Sequence, residues 1–367
     1  MLQLNPQPSF TDKQWTLLNR EEAEHALGAE IIHSIYQQHW APLTSLFLKN
    51  TVVEYKDGVI HSYVLGDELA FIAQHVGKTI LENYPQIAKP IRCMMNPSYK
   101  ETRKLNAKIK HTDLSKLTNT QLSALLIDSL HVPMNDIYKL HLVQLEYGLN
   151  YAISKCLEDY EPNLKKRSKL QTQLQNEFER HVSKEEIAFN KIVDYGKKNS
   201  ITHPSESNVL TSLLVRHLRT YAQGQSEYAR REPDLNDYVA RYKKLYRSFK
   251  AQRNSSEDVL IASITDKRLR ELCELMCHIK PFRSQNKAML GSTHRYRLSI
   301  VDEIASRSNV DREDLRYYLS SEMCRLLDGA VALSKSEIKK RQEKGITLIR
   351  HEGGFVGSKH FMESRKK

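Results

Sequence analysis

Apolar residues recur at helical spacing along most of the 367-residue chain. Glycine and proline, which end or bend helices, are scarce, at 13 and 11 residues, and they fall between long periodic segments. The sequence therefore predicts an all-α fold built as a multi-helix bundle. The first long helix is expected over about 21–47, with Ala23, Leu27 and Ile31 on its apolar stripe.

Capping boxes predict several helix starts, at Thr118–Gln121, Ser183–Glu186 and Ser334–Glu337. In each box a hydroxyl and an acid or amide three residues later satisfy free backbone N–H groups. Other helices are expected near 67–83, 119–130, 134–158, 206–222, 234–251, 256–278 and 298–306.

Two short segments depart from the helical pattern. In Thr51–Leu65, β-branched and aromatic runs flank Asp57-Gly58, a dipeptide that tolerates the positive φ angles of a tight hairpin turn. This segment predicts a small β-hairpin. Near the C-terminus, Ile346–Ile349 and Gly353–Val356 predict a short strand pair.

Charge and periodicity divide the chain into four predicted parts. Residues 1–160 form an N-terminal helical domain that contains the hairpin, and 161–200 form a charged helical connector. Residues 201–345 form a C-terminal helical domain, and 346–367 hold the strand pair and a basic tail.

The chain is basic, with 56 Lys and Arg against 44 Asp and Glu and a formal net charge of +12. This favours an anionic partner such as nucleic acid or a phosphorylated small molecule, although a solvated basic surface accounts for the same excess. No apolar run reaches the length of a membrane helix, and 5 unevenly spaced cysteines suit a reducing compartment. We therefore expect a cytoplasmic protein without membrane contact.

Motifs that carry chemistry are absent from the sequence. It has no phosphate-binding glycine loop, no H-E-x-x-H or C-x-x-C pair and no G-x-S-x-G nucleophile elbow. Cys273 and Cys277 have the spacing of one helix face, but no second Cys/His pair lies near, so core thiols are favoured over zinc. We expect no cofactor, no metal and no catalysis by the chain alone; the alternative is a free-standing enzyme whose site assembles from residues scattered along the sequence.

One basic stretch is the preferred anion-binding or acceptor-binding candidate. Its cations surround Gly291–Thr293, which has the composition of a loop that can present donors to a phosphate. A solvated loop between two helices is the alternative. The candidate residues are Arg283, Lys287, His294, Arg295 and Arg297.

A second basic stretch carries the nucleic-acid alternative. Within Tyr238–Arg253, aromatic residues interleave with cations, as in surfaces that stack bases and neutralise phosphates. The same spacing is typical of a core stripe with a solvated basic side, and that interpretation is favoured. The candidate residues are Arg241, Tyr242, Lys244, Arg247 and Lys250.

The segment Ile300–Gly329 has a specific order of elements. A helix with Glu303-Ile304-Ala305 is followed by a loop, then by Asp314–Tyr317, then by Glu322, which opens a helix that closes at Gly329. With the helix that follows, residues 300–345 resemble the helical region that leads into the phosphohistidine domain of phosphoenolpyruvate synthase-like and rifampicin phosphotransferase-like proteins, the phosphoenolpyruvate-utilizing enzymes.

The chain also departs from that family. It lacks the family's ATP-grasp domain, and Gly357–His360 does not reproduce the phosphohistidine motif that would follow Gly353-Gly354. In rifampicin phosphotransferase-like proteins the helical region is the acceptor-binding domain. The resemblance therefore implies a substrate-binding or docking component of a phosphotransferase, kinase-like or dikinase-like, that works with separate ATP-grasp and phosphohistidine swivel proteins. The alternative is a stand-alone basic helical protein that binds nucleic acid.

Overall fold

A computed structural model of the chain describes residues 15–35, 48–95, 98–137, 142–180, 184–221, 234–248, 259–351 and 354–356. Most of these residues are helical, which confirms the predicted fold class. The helices are α1 (Leu27–Ile35), α2 (Gly66–Met94), α3 (Lys100–His111), α4 (Asn119–Ile137), α5 (Leu142–Tyr160), α6 (Leu164–Arg180), α7 (Lys184–Lys198), α8 (Asn208–Tyr221), α9 (Leu235–Ser248), α10 (Val259–Ala262), α11 (Lys267–Cys277), α12 (Ile279–Ser308), α13 (Arg312–Leu315), α14 (Ser320–Leu327) and α15 (Lys335–Lys344). Short 3-10 helices lie at Leu114–Lys116 and Pro204–Glu206. No helix within the described ranges combines the length and the apolar character needed to cross a bilayer.

The strands form one antiparallel sheet in the order β1-β3-β2-β4-β5. They are β1 (Trp15–Glu22), β2 (Thr51–Lys56), β3 (Val59–Leu65), β4 (Ile346–His351) and β5 (Gly354–Val356). The predicted hairpin and C-terminal strand pair are both present. The hairpin turns at Asp57 and Gly58, whose φ angles are 52° and 75°, as the dipeptide predicts. Because β1 pairs with β3 and β4 pairs with β2, the first and the last described segments of the chain lie in one sheet.

The prediction for the first helix is wrong at its start. Glu21 and Glu22 lie in β1, opposite Ile60 and Val59 of β3, and helix α1 begins only at Leu27. Pairing along a sheet edge outweighs the helical spacing of this stretch, because tertiary context overrides weak local propensity. Residues 36–47 of the predicted helix lie outside the described residues.

Most of the buried apolar residues form a single cluster that we call the main core. It combines one face of the sheet with residues of α1–α6 and of α10–α15. Cys273 and Cys277 are buried within it, as the core-thiol interpretation predicts. A second cluster consists of residues from α7, α8 and α9. The two helices of the predicted connector, α6 and α7, thus pack into different clusters, while the division into domains stays a prediction.

Helix α2 packs closely against α5 and then bends. A Cβ atom at Gly148 would lie 2.3 Å from Cγ1 of Val76, so this crossing requires glycine. Further along, Asn83 has non-helical angles (φ −120°, ψ 22°) just before Pro85. Proline removes a helical hydrogen bond and clashes with the preceding turn, which accounts for the kink. The kink sets the direction of the second half of α2.

Residues 300–345 fold in the order of elements expected from their sequence. Helix α12 ends at Ser308, and α13, α14 and α15 follow. Arg341 of α15 donates from Nη1 and Nη2 to the carboxylate of Glu322, at 2.7 and 2.8 Å. Glu322 also accepts from the backbone N–H of Leu319, at 2.9 Å, and so caps α14. This bidentate pair fixes α15 against α14.

Candidate functional site

The loop expected around Gly291–Thr293 is instead the interior of α12, a continuous helix from Ile279 to Ser308. The expectation is wrong because a single glycine in a helical pattern is tolerated when the helix packs on its neighbours. Here Gly291 and Thr293 are buried, and the Thr293 hydroxyl donates to the Met289 carbonyl one turn earlier, at 3.1 Å. The cations of this stretch therefore project from successive turns of one helix.

Two of these predicted anion-site residues pair with carboxylates of other elements. Arg283 forms an ion pair with Glu146 of α5, and Lys287 forms one with Glu21 of β1 at 3.1 Å. Burial lowers the pKa of Arg283. These pairs connect α12 to the rest of the main core. Arg295, on the same helix, is partly exposed.

His294 and Arg297 lie deeper. Arg297 is 1% exposed, and it donates from Nε to the hydroxyl of Ser129 at 3.0 Å and from Nη2 to the Ser129 carbonyl at 2.5 Å. His294 Nδ1 lies 3.4 Å from Arg297 Nη1. Burial, helped by the charge of Arg297, holds the pKa of His294 well below its usual range. Both side chains belong to the helix–helix packing rather than to an open site.

A buried polar cluster continues from Arg297 to α1. His25 is 1% exposed, and burial together with Arg316 lowers its pKa to about 3. Glu30 accepts from the backbone N–H and the hydroxyl of Ser320, at 2.9 and 3.0 Å. Burial raises the pKa of Glu30 to about 7, although these hydrogen bonds act against the shift. Hydrogen bonds thus join α12 to α4 and α1 to α14, and the charge of Arg297 acts on both His25 and Glu30.

The candidates of the nucleic-acid alternative lie on α9. Tyr242 is fully buried and its hydroxyl donates to the Ile201 carbonyl at 2.6 Å. Arg241 forms an ion pair with Glu185 at 2.5 Å and lies over the Phe189 ring. Lys244 and Arg247 are exposed, and Lys250 lies outside the described residues. The aromatic stripe of α9 is therefore core, as the favoured interpretation predicts.

A different set of cations lines an open cleft between the second half of α2 and the start of α11. The cleft has a volume of about 840 Å³ and is lined by Tyr84, Pro85, Ala88, Lys89, Arg92, Cys93, Lys267 and Glu271. We call it the α2–α11 cleft. Its volume is within the range of small-molecule sites. Its lining carries more positive than negative charge.

Helical spacing places these side chains on the cleft wall. Residues 84–85, 88–89 and 92–93 of α2 follow one another at intervals of four, which puts them on one face of the helix. Lys267 and Glu271 have the same interval on α11. The kink at Asn83 comes immediately before this face of α2. It thereby determines how the face meets α11.

The cations of the cleft are accessible to a ligand. Lys89, Arg92 and Lys267 are exposed. Nη2 of Arg92 lies 3.8 Å from Oε2 of Glu274, and the two side chains are 49% and 46% exposed. Water therefore weakens this ion pair. The buried hydroxyl of Tyr84 has no hydrogen-bond partner of good geometry among the described residues, although Arg92 lies close enough to act on its pKa, which burial raises. The donors that the cleft offers to an anion are therefore the exposed cations Lys89, Arg92 and Lys267.

Beside its cations, the described lining of the cleft holds one thiol, Cys93, and one carboxylate, Glu271. The described residues contain no cluster of histidine, cysteine and carboxylate side chains that could hold a metal ion. Cys93 is exposed in the cleft, and the described lining includes no histidine that could activate its thiol. The sequence did not indicate this cleft, because the helix expected near 67–83 stops before Tyr84, the first α2 residue of the lining.

Comparisons of the chain with protein-family models, curated proteins and solved structures found no match.

Proposed function

We propose that this protein binds a small phosphorylated or otherwise anionic molecule in the α2–α11 cleft and is not catalytic alone. The single observation that carries the proposal is that Lys89, Arg92 and Lys267 line one open cleft of about 840 Å³. Guanidinium and ammonium groups that converge on one space favour phosphate and carboxylate ligands. The apolar lining of Pro85 and Ala88 suits the carbon skeleton of such a ligand.

The proposed site differs from the acceptor-binding site that the sequence pattern predicted on α12. The cations at Arg283, Lys287 and Arg297 are occupied by Glu146, Glu21 and Ser129, so a ligand there would have to displace internal contacts. Lys89 and Lys267 are exposed in the cleft. Binding in the cleft therefore disrupts less of the fold.

The resemblance of residues 300–345 to phosphoenolpyruvate-utilizing enzymes supports a more specific form of this proposal. The chain then acts in the cytoplasm as an acceptor-binding or docking component that positions the acceptor for separate ATP-grasp and phosphohistidine swivel proteins. An affinity-tagged chain should recover both kinds of protein from native lysate. Recovery of neither would count against the phosphotransferase role and leave the binding proposal standing.

Calorimetric titration tests the binding proposal. Inorganic pyrophosphate, phosphoenolpyruvate and a sugar phosphate are the probes, with the unphosphorylated sugar as the neutral control. The double variant Lys89→Glu/Arg92→Glu should weaken binding by about tenfold or more, since two charge-assisted contacts become repulsive. The matched control Lys165→Glu/Lys166→Glu makes the same change in net charge on α6, where both lysines are exposed.

The control variant should bind within about twofold of the unmodified protein, because distant exposed charges are screened by salt. Equal weakening by both variants would mean that total charge, not the cleft, attracts the ligand. Binding of none of the phosphorylated probes at millimolar concentration would overturn the proposal.

A further inference from the structure

Helix α3 presents a strongly basic exposed face that the proposed cleft does not use. The residues of this basic face are Lys100, Arg103, Lys104, Lys108 and Lys110, all of them exposed. The opposite side of α3 is buried through Thr102, Leu105, Asn106 and Ile109, at the spacing of an amphipathic helix. The orientation of the helix is therefore fixed by its packing, and its cations point to solvent.

Few of these cations are neutralised within the protein. Lys104 pairs with Glu101 at 3.0 Å, with side chains 61% and 57% exposed, so the pair is weak. Among the described residues, Lys100, Arg103, Lys108 and Lys110 form no ion pair. A face with one carboxylate and this many cations creates a local positive potential.

Contacts at its N-terminal end hold α3 rigidly. The carboxylate of Asp136, on α4, accepts from the backbone N–H and the hydroxyl of Thr102, at 3.0 and 3.1 Å. Tyr99, immediately before α3, adopts a positive φ of 50° and donates its hydroxyl to Asn286 Oδ1 of α12 at 2.8 Å. The basic face is thus preorganised, and ordering it on binding costs little.

The spacing of the cations fits a repeating polyanion. A helix rises about 1.5 Å per residue, so Lys100, Lys104 and Lys108 follow one another at roughly 6 Å along the axis and span about 12 Å. A nucleic-acid strand places a phosphate about every 3.4 Å along its axis in a duplex. The basic face can therefore contact several phosphates of one backbone at the same time.

A groove without net charge borders the face, since Lys104 and Lys108 on its wall are balanced by Glu101 and Asp136. It lies between α3 and α4, has a volume of about 520 Å³, and is lined by Glu101, Lys104, Leu105, Lys108, Val132, Asn135 and Asp136. Lys104 and Lys108 thus belong both to the basic face and to the groove wall.

The composition of the face argues against an anionic membrane as the partner. A helix that lies on a bilayer inserts large apolar side chains between the headgroups. The apolar side chains of α3, Leu105 and Ile109, are buried in the main core, and only Ala107 contributes an apolar side chain to the exposed side.

From these observations we infer that the basic face of α3 binds the phosphate backbone of nucleic acid independently of base sequence. The cations of this rigidly held helix contact phosphate groups. Such contacts position a strand and carry no sequence information. The site is separate from α9, where the sequence pattern had placed the nucleic-acid candidates, and from the α2–α11 cleft.

Fluorescence anisotropy with labelled oligo-uridine RNA and with duplex DNA of matched length tests the inference. The variant Lys100→Glu/Arg103→Glu/Lys108→Glu should weaken binding by about tenfold or more, and the dependence of log affinity on log salt should fall by about 2 to 3. The control Lys165→Glu/Lys166→Glu/Lys169→Glu changes the net charge equally on the exposed start of α6 and should bind within about twofold.

The variant Lys100→Gln/Arg103→Gln/Lys108→Gln removes charge without adding repulsion. It should therefore weaken binding less than the corresponding glutamate variant does. Circular dichroism monitors that each variant remains folded. The inference is overturned if the unmodified protein binds neither probe at about 50 mM salt, if the α3 and α6 variants lose affinity equally, or if phosphatidylserine vesicles bind the basic face more tightly than either nucleic acid.

Discussion

The guanidinium of Arg297 is buried against Ser129 and donates to both its hydroxyl and its backbone carbonyl, at 3.0 and 2.5 Å. These contacts join α12 to α4 across 168 positions of sequence. A guanidinium held by neutral oxygens inside a protein is costly unless its hydrogen bonds are satisfied. The packing of α12 against α4 therefore depends on these hydrogen bonds of Arg297.

Substitution Arg297→Met should destabilise the protein by about 2–4 kcal/mol, because it leaves the polar atoms of Ser129 and His294 buried without their donor. Urea denaturation measures the change. Arg247→Met is the matched control, since Arg247 is exposed on α9, and it should shift stability by less than about 0.5 kcal/mol. Unchanged stability in Arg297→Met, accompanied by lost anion binding, would instead identify Arg297 as a ligand residue.

Glu30 should lower the stability of the folded protein as the pH rises, which is the opposite of the usual effect of a carboxyl group. Its pKa is raised from 4.5 to about 7 in the folded protein by burial, so the folded state binds the proton more tightly than the unfolded state. The stability contributed by the protonated carboxyl is lost as the pH rises from 4.5, the ordinary pKa, to about 7, the pKa in the folded protein. Above about pH 7 it is fully lost. The buried His25, whose pKa is lowered to about 3, acts in the opposite sense as the pH falls.

Comparison of Glu30→Gln with the unmodified protein isolates the carboxyl. Relative to the unmodified protein, the variant should gain stability between about pH 5 and pH 7.5, by at most about 3 kcal/mol. The free energy of unfolding is measured in urea at several pH values. A difference that stays constant across this range would show that the hydrogen bonds from Ser320 outweigh burial and keep Glu30 ionised.

Tyr242→Phe distinguishes the structural role of α9 from a nucleic-acid role. The Tyr242 hydroxyl donates to the Ile201 carbonyl at 2.6 Å inside the second cluster, so its removal should cost about 1 kcal/mol. Oligo-uridine binding should be unchanged, since the ring is not accessible for stacking. If binding weakened without loss of stability, α9 would be the nucleic-acid surface and the assignment to α3 would need revision.

Local patterns were sufficient to predict much of the secondary structure. Thr118 and Gln121 form the expected capping box, with the Thr118 N–H donating to Gln121 at 2.9 Å and the Gln121 N–H donating to Thr118 at 3.2 Å. The hydroxyl of Ser334 accepts from the Glu337 N–H at 3.2 Å, while Ser183, the first residue of the remaining box, lies outside the described residues. These contacts join residues close in sequence, so the sequence pattern contains both partners.

The structural features that the sequence did not predict arise from contacts between residues far apart in the chain. The strand at Trp15–Glu22 is defined by its pairing with β3, and β4 joins the sheet only because it meets β2, almost three hundred positions away. The α2–α11 cleft depends in the same way on two helices distant in sequence. The helix expected near 67–83 stops before the face of α2 that lines the cleft, and no local pattern shows that this face lies opposite α11.

The most direct test of the proposed function uses the thiol in the cleft. Cys93 is exposed and lines the cleft, whereas Cys324 is partly buried elsewhere and serves as an internal control. Alkylation by N-ethylmaleimide is followed at each cysteine by peptide mass spectrometry while pyrophosphate or phosphoenolpyruvate is titrated. A ligand that fills the cleft should slow alkylation of Cys93 by about fivefold or more at saturation, because it covers the sulfur.

Protection of Cys93 should saturate with ligand, Cys324 alkylation should be unchanged, and Lys89→Glu/Arg92→Glu should abolish the protection. A Cys93 alkylation rate that stays constant over the full titration, in a protein that binds the same ligand by calorimetry, would show that the anion site lies outside the cleft.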